Sequence, residues 1–174
     1  HLRTKTDVSA IDQTAHGLRL SLDSGGSLDV DRVLYATGRV PNTKDLGLET
    51  AGVDINHKGA VAVDGYSKTA VDTIYAIGDC TDRLALTPVA IKEAMAFSET
   101  VFGGRAWAMD HGNVAHAVFS QPSVAQVGMT EREARADGRK LDIYKANFKP
   151  LKHTISGSTE RTFMKLVVDR ESQQ

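Results

Sequence analysis

The most constraining feature of this sequence is an uncharged apolar run that ends in a Gly-Asp pair. Residues 74–77 do not alternate between apolar and polar types, and such a run predicts a strand covered on both faces in a parallel sheet. Ligands bind beyond the carboxyl ends of such strands, where Gly78 and Asp79 would lie. Gly78 allows close backbone approach, and the Asp79 carboxylate can accept hydrogen bonds from hydroxyl groups. A strand followed by an ordinary turn is the alternative interpretation.

A helix is predicted shortly after this pair. Thr87 is a good N-cap and Pro88 suits the first helical position. The Gly-Gly pair at 103–104 favours a stop, so the helix should span about 88–102. No carboxylate precedes Glu93, which leaves the positive end of the helix dipole and free N–H groups available to an electron-rich ligand. The expected apolar face, at steps of four, three and four residues, consists of Ala90, Ala94, Phe97 and Val101.

Composition excludes several classes of function. The 174 residues are 41% hydrophobic and 25% charged with a net charge of −1, which is typical of soluble globular proteins and indicates neither a nucleic-acid nor a membrane surface. No run reaches the ~20 apolar residues of a membrane span. The six histidines show no metal-ligand spacing. Cys80 is the only cysteine, so an internal disulfide or dithiol redox centre is impossible, and Cys80 is interpreted as a packing residue.

The first forty residues predict a small antiparallel sheet followed by another strand. Val8 and Ile11 indicate an opening strand, and alternating leucines at 18–22 and apolar residues at 28–30 predict a hairpin with one buried face. Residues 33–36 are apolar and predict a further strand. Residues 59–63 predict another short one.

The last third of the chain predicts an α+β unit after a boundary at 107–113. Thr130 and Glu133 form the capping-box pattern of a short helix that Gly138 ends. The chain starts at His1 rather than at a methionine, and it stops soon after a strand-like run, so we expect an internal section of a longer protein. The strands expected around the short helix cover residues 117–119, 124–127, 143–148 and 163–168.

Three motifs at constant spacing give a family resemblance. The segment at 73–79, Leu-Thr-Pro-Val-Ala at 86–90 and Ala-Thr-Gly-Arg-Val-Pro-Asn at 36–42 resemble the FAD-dependent pyridine nucleotide-disulfide reductases, and within them the glutathione reductases. The resemblance covers nearly the whole chain. It implies an α/β fold with partial Rossmann-like FAD/NAD(P)-binding layers, followed by the start of an α+β interface domain.

The resemblance also implies a domain plan and cofactor contacts. Residues 1–38 would end the NADPH-binding domain, 39–110 would form the C-terminal part of the FAD-binding domain, and 111–174 would begin the dimerisation domain. Asp79 would bind the ribityl chain of FAD and Thr87 would contact the flavin ring through its backbone. The other implied contacts to FAD or NADPH are Gly78, Leu86, Gly38, Arg39, Ala85 and Ala117.

The implied activity is reduction of glutathione disulfide by a cytoplasmic homodimer. In the family, hydride passes from NADPH to FAD, electrons pass to a cysteine pair, and the dithiol reduces the substrate at the dimer interface. The cysteine pair and the acid/base histidine are absent from this chain, so no catalytic residue is assigned in it and we expect it to be inactive alone.

Several alternatives remain open from the sequence. Met95 stands where many glutathione reductases carry an Arg that pairs with a glutathione carboxylate. Trypanothione reductases share Leu-Thr-Pro-Val-Ala and also lack this Arg, whereas residues 148–161 most resemble bacterial and plant-type glutathione reductases. Dihydrolipoamide dehydrogenase, mercuric reductase and a non-catalytic nucleotide-binding module are further alternatives.

Overall fold

The structure is a computed structural model that describes all of residues 1–174. It contains two compact units, His1–Val40 and Pro41–Gln174. Each unit is described by itself below. None of the helices combines the length and the apolar character needed to cross a membrane.

The first unit is built on a three-stranded antiparallel meander. Strands β1 (Val8–Thr14), β2 (Gly17–Leu22) and β3 (Ser27–Val30) are hydrogen-bonded in sequence order. Leu20 lies opposite Ile11 on one side and Leu28 on the other. Leu20 and its neighbour on the same face, Leu22, are buried. The alternating leucines therefore predicted both the hairpin and its buried face correctly.

The strand predicted at residues 33–36 is wrong for this chain. The segment is irregular, and Leu34 is 91% exposed. A strand requires ladder hydrogen bonds from a neighbouring segment, and none of the strand ladders in the chain includes these residues. Their apolar side chains are consequently left on the surface.

The predicted strands at 59–63 and 74–77 are also wrong in this structure, for the same reason. Each segment makes only an isolated antiparallel bridge, Ile55 to Val61 in one case and Lys68 to Tyr75 in the other. Residues 74–77 are half-buried rather than covered on both faces. No parallel pairing occurs anywhere among the strands of the chain. The apolar character of these segments is real, but no segment of the chain extends either bridge into a sheet.

The Gly-Asp pair forms a short 3-10 turn instead of a strand end. This Gly-Asp turn spans Gly78–Thr81, and helix α1 follows at Thr87–Val101. The helix is confirmed to within a residue at each end, but its N-cap is Leu86, not Thr87. The Leu86 carbonyl already accepts hydrogen bonds from Val89 and Ala90, so Thr87 is inside the first turn and its side chain makes no capping bond.

The buried stripe of α1 differs from the predicted apolar face. Its centre is Val89, Glu93 and Ala96, which are fully or nearly fully buried. Ala90, Ala94 and Phe97 flank this stripe and are half-buried, while Val101 is exposed. Counting apolar residues alone missed the true centre because a glutamate occupies it.

The remaining elements match the expected α+β unit. Thr130 caps helix α2 (Glu131–Ala136) through a capping box with Glu133, as predicted. A further single turn, α3, spans His153–Ser156. The strands form two antiparallel pairs, β4 (His116–Val118) with β5 (Val124–Gln126) and β6 (Leu141–Phe148) with β7 (Thr162–Asp169).

Candidate functional site

Gly78 is wedged against helix α1. Its φ is +70°, in the left-handed region that favours glycine, and the residue is buried. A Cβ on Gly78 would lie 3.1 Å from the Cβ of Ala90. Both the backbone conformation and the close approach therefore require glycine, and the structure brings the Gly-Asp turn into direct contact with the first turns of α1.

The carboxylate of Glu93 reaches this turn from α1. Glu93 is 1% exposed, and its Oε2 accepts a hydrogen bond from the Gly78 N–H at 2.6 Å. Sequence reasoning noted Glu93 only as the first acidic residue of the helix. A signal was nevertheless present, since Val89, Glu93 and Ala96 follow each other at steps of four and three, which places a carboxylate inside a helix stripe that is otherwise apolar.

Two cationic or potentially cationic side chains lie at the other oxygen of Glu93. Arg83 forms an ion pair with Oε1 at 2.9 Å, and the Nε2 of His111 lies 2.7 Å from the same oxygen. Arg83 also donates to the Ser67 hydroxyl at 2.9 Å. Buried carboxylates are tolerated when they are paired and hydrogen-bonded, and Glu93 meets that condition. We call Glu93, Arg83 and His111 the Glu93 cluster.

Asp79 projects from the turn toward solvent. Its side chain is exposed, whereas its backbone carbonyl accepts a hydrogen bond from the Asp82 N–H. The Thr81 hydroxyl donates to the Gly78 carbonyl at 2.8 Å and closes the turn from within. The carboxylate is thus held on a braced backbone and is open to a ligand that offers hydroxyl donors.

The thiol of Cys80 is engaged with the backbone of the preceding segment. It is half-buried, and its Sγ donates a hydrogen bond to the Ile77 carbonyl at 3.1 Å. Burial raises the pKa of the Cys80 thiol above its ordinary value. A raised pKa keeps the group as the poorly nucleophilic thiol, so its chemistry agrees with a packing role.

The start of α1 is free of carboxylates, as the sequence predicted, but most of its N–H groups are paired. Its first turn contains no acidic residue, and Thr87 and Pro88 are exposed. The Leu86 and Val89 N–H groups are hydrogen-bonded to the Leu84 and Leu86 carbonyls and Pro88 has no N–H, so the helix dipole and the Thr87 N–H are what this terminus offers to an electron-rich ligand. The Asp79 carboxylate can accept hydrogen bonds from hydroxyl groups, and the nearby start of α1 is the positive end of the helix dipole. Both lie in the second unit.

The other sequence-predicted contacts are spread over the chain. Ala85 is exposed and Leu86 half-buried just before α1. Ala117 is exposed in β4, opposite Ala125 of β5. Gly38, with φ of +111°, and Arg39 are exposed in the first unit. These assignments stay predictions. No three His, Cys, Asp or Glu side chains lie close enough together to hold a metal ion.

Comparison with known protein families shows which family the chain matches. Residues 1–94 match the pyridine nucleotide-disulphide oxidoreductase family, and residues 114–174 match the dimerisation domain of the same family. The chain belongs to the pyridine nucleotide-disulphide oxidoreductases. The family resemblance inferred from the three motifs is therefore confirmed, and so is the expected fold class.

Individual members of the family are similar over almost the whole chain. The glutathione reductase of Burkholderia cepacia is 48% identical over 168 residues, which is 97% of this chain and 37% of that protein. The chloroplastic/mitochondrial glutathione reductase of Pisum sativum is 44% identical over 97% of this chain. The trypanothione reductase of Leishmania donovani is 46% identical over 98% of it.

Solved structures in the family share the fold. The HOCl-induced flavoprotein disulfide reductase RclA from Escherichia coli superposes with a TM-score of 0.85 at 29% identity, covering 97% of this chain and 39% of that one. This pyridine nucleotide-disulphide oxidoreductase chain spans between 31% and 37% of the length of the Burkholderia and Pisum relatives it matches.

Proposed function

We propose that this chain is a section of an NADPH-dependent glutathione-disulfide reductase. The observation that carries the proposal is the 44–48% identity to glutathione reductases over 97% of the chain. The identity extends across both family regions rather than over one motif. The whole enzyme would use NADPH to reduce glutathione disulfide to glutathione through bound FAD and a redox dithiol.

The residues around the Gly-Asp turn fit FAD. Asp79 presents an exposed carboxylate that can accept hydrogen bonds from the ribityl hydroxyls. The close contact between Gly78 and Ala90 holds the turn that carries Asp79 against the first turns of α1. The open first turn of α1 at Leu86 and Thr87 would stabilise negative charge on the flavin ring through fixed backbone dipoles. When bound, FAD supplies the step that converts hydride transfer into electron transfer to a disulfide.

The proposed contacts to NADPH are mostly backbone groups. Small residues allow a planar ring to approach the main chain closely, and the candidates are of this kind except for Leu86 and Arg39. The Arg39 guanidinium would be favourable near a pyrophosphate. The proposed set is Gly38, Arg39, Ala85, Leu86 and Ala117.

The thiol chemistry of the enzyme would be located outside these residues. The chain has one cysteine, and a dithiol centre needs two. Cys80 donates its hydrogen bond to the Ile77 carbonyl, and burial raises its pKa, so it is unsuited to attack a disulfide. We therefore propose that residues 1–174 do not turn over alone.

The proposed assembly is a cytoplasmic homodimer. Its support is the dimerisation-domain match at residues 114–174. Residues 1–38, 39–110 and 111–174 are proposed as the NADPH-binding, FAD-binding and interface portions.

Trypanothione disulfide is the second candidate substrate. The support is the 44–46% identity to two trypanothione reductases and Met95 in place of the Arg found in many glutathione reductases. An exposed ion pair contributes only ~0–1 kcal/mol, so the loss of that Arg does not exclude glutathione disulfide.

The test is a comparison of substrates for the full-length protein. We expect NADPH oxidation with a kcat/KM for glutathione disulfide far above the values for trypanothione disulfide and lipoamide. A preference for trypanothione disulfide or lipoamide would show that the protein is a trypanothione reductase or a dihydrolipoamide dehydrogenase instead. No turnover by a flavin-loaded protein with any of the three disulfides would contradict the proposed reductase activity.

A further inference from the structure

We propose that Glu93 is a positioning residue that holds the Gly-Asp turn in the orientation that presents Asp79. The inference rests on the proposed function, because it takes Asp79 as the flavin ligand. Glu93 touches no ligand in this proposal. It acts through the peptide group of Gly78.

The two oxygens of Glu93 have separate roles. Oε2 accepts from the Gly78 N–H at 2.6 Å, and Oε1 lies between Arg83 at 2.9 Å and His111 at 2.7 Å. Arg83 and His111 orient the carboxylate, and the carboxylate orients the turn. Hydrogen bonds to an ionised acceptor are shorter and stronger than neutral ones, so this is a firm restraint on the Ile77–Gly78 peptide group, which carries the Gly78 N–H.

Other hydrogen bonds hold the turn at different points: the Cys80 carbonyl accepts from the Val61 N–H, and the Asp79 carbonyl accepts from the Asp82 N–H. The segment at 74–77 that enters the turn forms an isolated bridge through Lys68 and Tyr75, and the Ala76 N–H donates to the Ser67 carbonyl. The Thr81 hydroxyl fixes the Gly78 carbonyl, but the Gly78 N–H is fixed only by Glu93. The Ile77–Gly78 peptide group sets the direction in which the chain enters Gly78, so its orientation also sets the direction of the Asp79 side chain that follows.

A simple packing role would not require a carboxylate. An apolar side chain of similar size would fill the stripe between Val89 and Ala96 without burying a charge. The cluster also draws in His111, 18 residues further along the chain. The chain thus accepts a buried charge at the one α1 position that faces the Gly78 N–H.

The test is a double-mutant cycle on the full-length apoenzyme, with the Kd for FAD as the readout. Glu93→Gln keeps the side-chain shape but replaces the charged acceptor. We expect it to raise the Kd roughly 10-fold, as for loss of a charge-assisted hydrogen bond. In the Asp79→Ala background the same change should raise the Kd less than about 3-fold, because the group being positioned is gone.

A matched control lies on the same helix. Glu99 pairs with Arg105 at 3.4 Å on a half-exposed face, and Glu99→Gln should leave the Kd for FAD unchanged. If Glu93→Gln raises the Kd by the same factor in both backgrounds, or does not raise it, Glu93 is not a positioning residue.

Two further results are informative, one if the Glu93 variant does not fold and one if Asp79 does not bind the flavin. If Glu93→Gln apoenzyme does not fold, the cycle is run with His111→Phe, which removes one partner of Oε1; non-additivity with Asp79→Ala supports the proposal and additivity overturns it. If Asp79→Ala alone leaves the Kd unchanged, the assignment of Asp79 as a flavin ligand fails, and this inference falls with it.

Discussion

Gly78 and Ala90 pack so closely that a methyl group added to Gly78 would lie 3.1 Å from the Cβ of Ala90. Gly78→Ala should therefore lower the free energy of unfolding of the full-length protein by more than the cost of backbone strain alone. The left-handed conformation costs an alanine roughly 1–2 kcal/mol, and overpacking adds about 1–3 kcal/mol. Urea unfolding measures the loss.

Gly104→Ala is the matched control for this substitution. Gly104 has a φ of +71°, nearly the same as Gly78, but an added Cβ would meet no atom within 4 Å. It should show the strain cost without the packing cost. Equal destabilisation by the two substitutions would mean that the contact with Ala90 is unimportant.

Asp79→Ala should weaken retention of FAD. Each charge-assisted hydrogen bond lost is worth about 1.5–3 kcal/mol, and the exposed side chain contributes little to folding. The measurement is the flavin content of the purified full-length variant. Asp72→Ala, at another exposed carboxylate of the same unit, serves as the control, and full flavin occupancy in the Asp79 variant would remove Asp79 from the site.

A negative charge at the start of α1 should lower the reduction potential of the flavin. Val89 is unsuitable for this test because it is 1% exposed and a charge there would disrupt the core. Pro88 is exposed in the first turn, so Pro88→Glu is compared with the neutral Pro88→Gln. We expect a decrease on the order of 20 mV, equivalent to ~1 kcal/mol for a two-electron couple. Equal potentials would indicate that this terminus does not face the flavin.

Cys80 should react slowly with iodoacetamide at pH 8. Burial raises the pKa of this thiol, so the thiolate that performs the attack is scarce. The rate is measured by mass spectrometry of the Cys80 peptide, with protein in urea as the control. Because the folded-state pKa lies above the unfolded-state pKa, the protonated thiol stabilises the fold below the unfolded-state pKa, and this contribution is lost as the pH rises through the folded-state pKa. Native and unfolded rates that coincide would contradict the raised pKa.

Met95→Arg should lower the KM for glutathione disulfide without changing kcat. Met95 is 55% exposed on α1, and an exposed ion pair contributes ~0–1 kcal/mol, or up to about fivefold in KM. Ile91→Arg, one turn earlier and similarly exposed, is the control for general attraction. The same decrease in both variants would show that position 95 has no special place in substrate binding.

Local patterns were sufficient for the elements that depend on nearby residues. The hairpin follows from the alternation at Leu18, Leu20 and Leu22, and α2 follows from the capping box of Thr130 and Glu133. The sequence also predicted the extent of α1 and the absence of acidic residues from its first turn. Periodicity and capping act over a few residues, so a single sequence contains them.

The tertiary structure decided the features that depend on distant partners. Residues 33–36 and 74–77 have strand-like composition, but the first segment pairs with no strand and the second forms only an isolated bridge, so both remain irregular. Thr87 could cap a helix, yet the helix starts one residue earlier. Conversely, the sequence around Glu93 is that of an ordinary helix carboxylate, and only the fold brings Gly78 and Arg83 from before the helix and His111 from after it to this side chain. Sequence by itself determined the family and the Gly-Asp motif, whereas only folding determined how that motif is held, because burial of a charge is possible only where its partners meet in space.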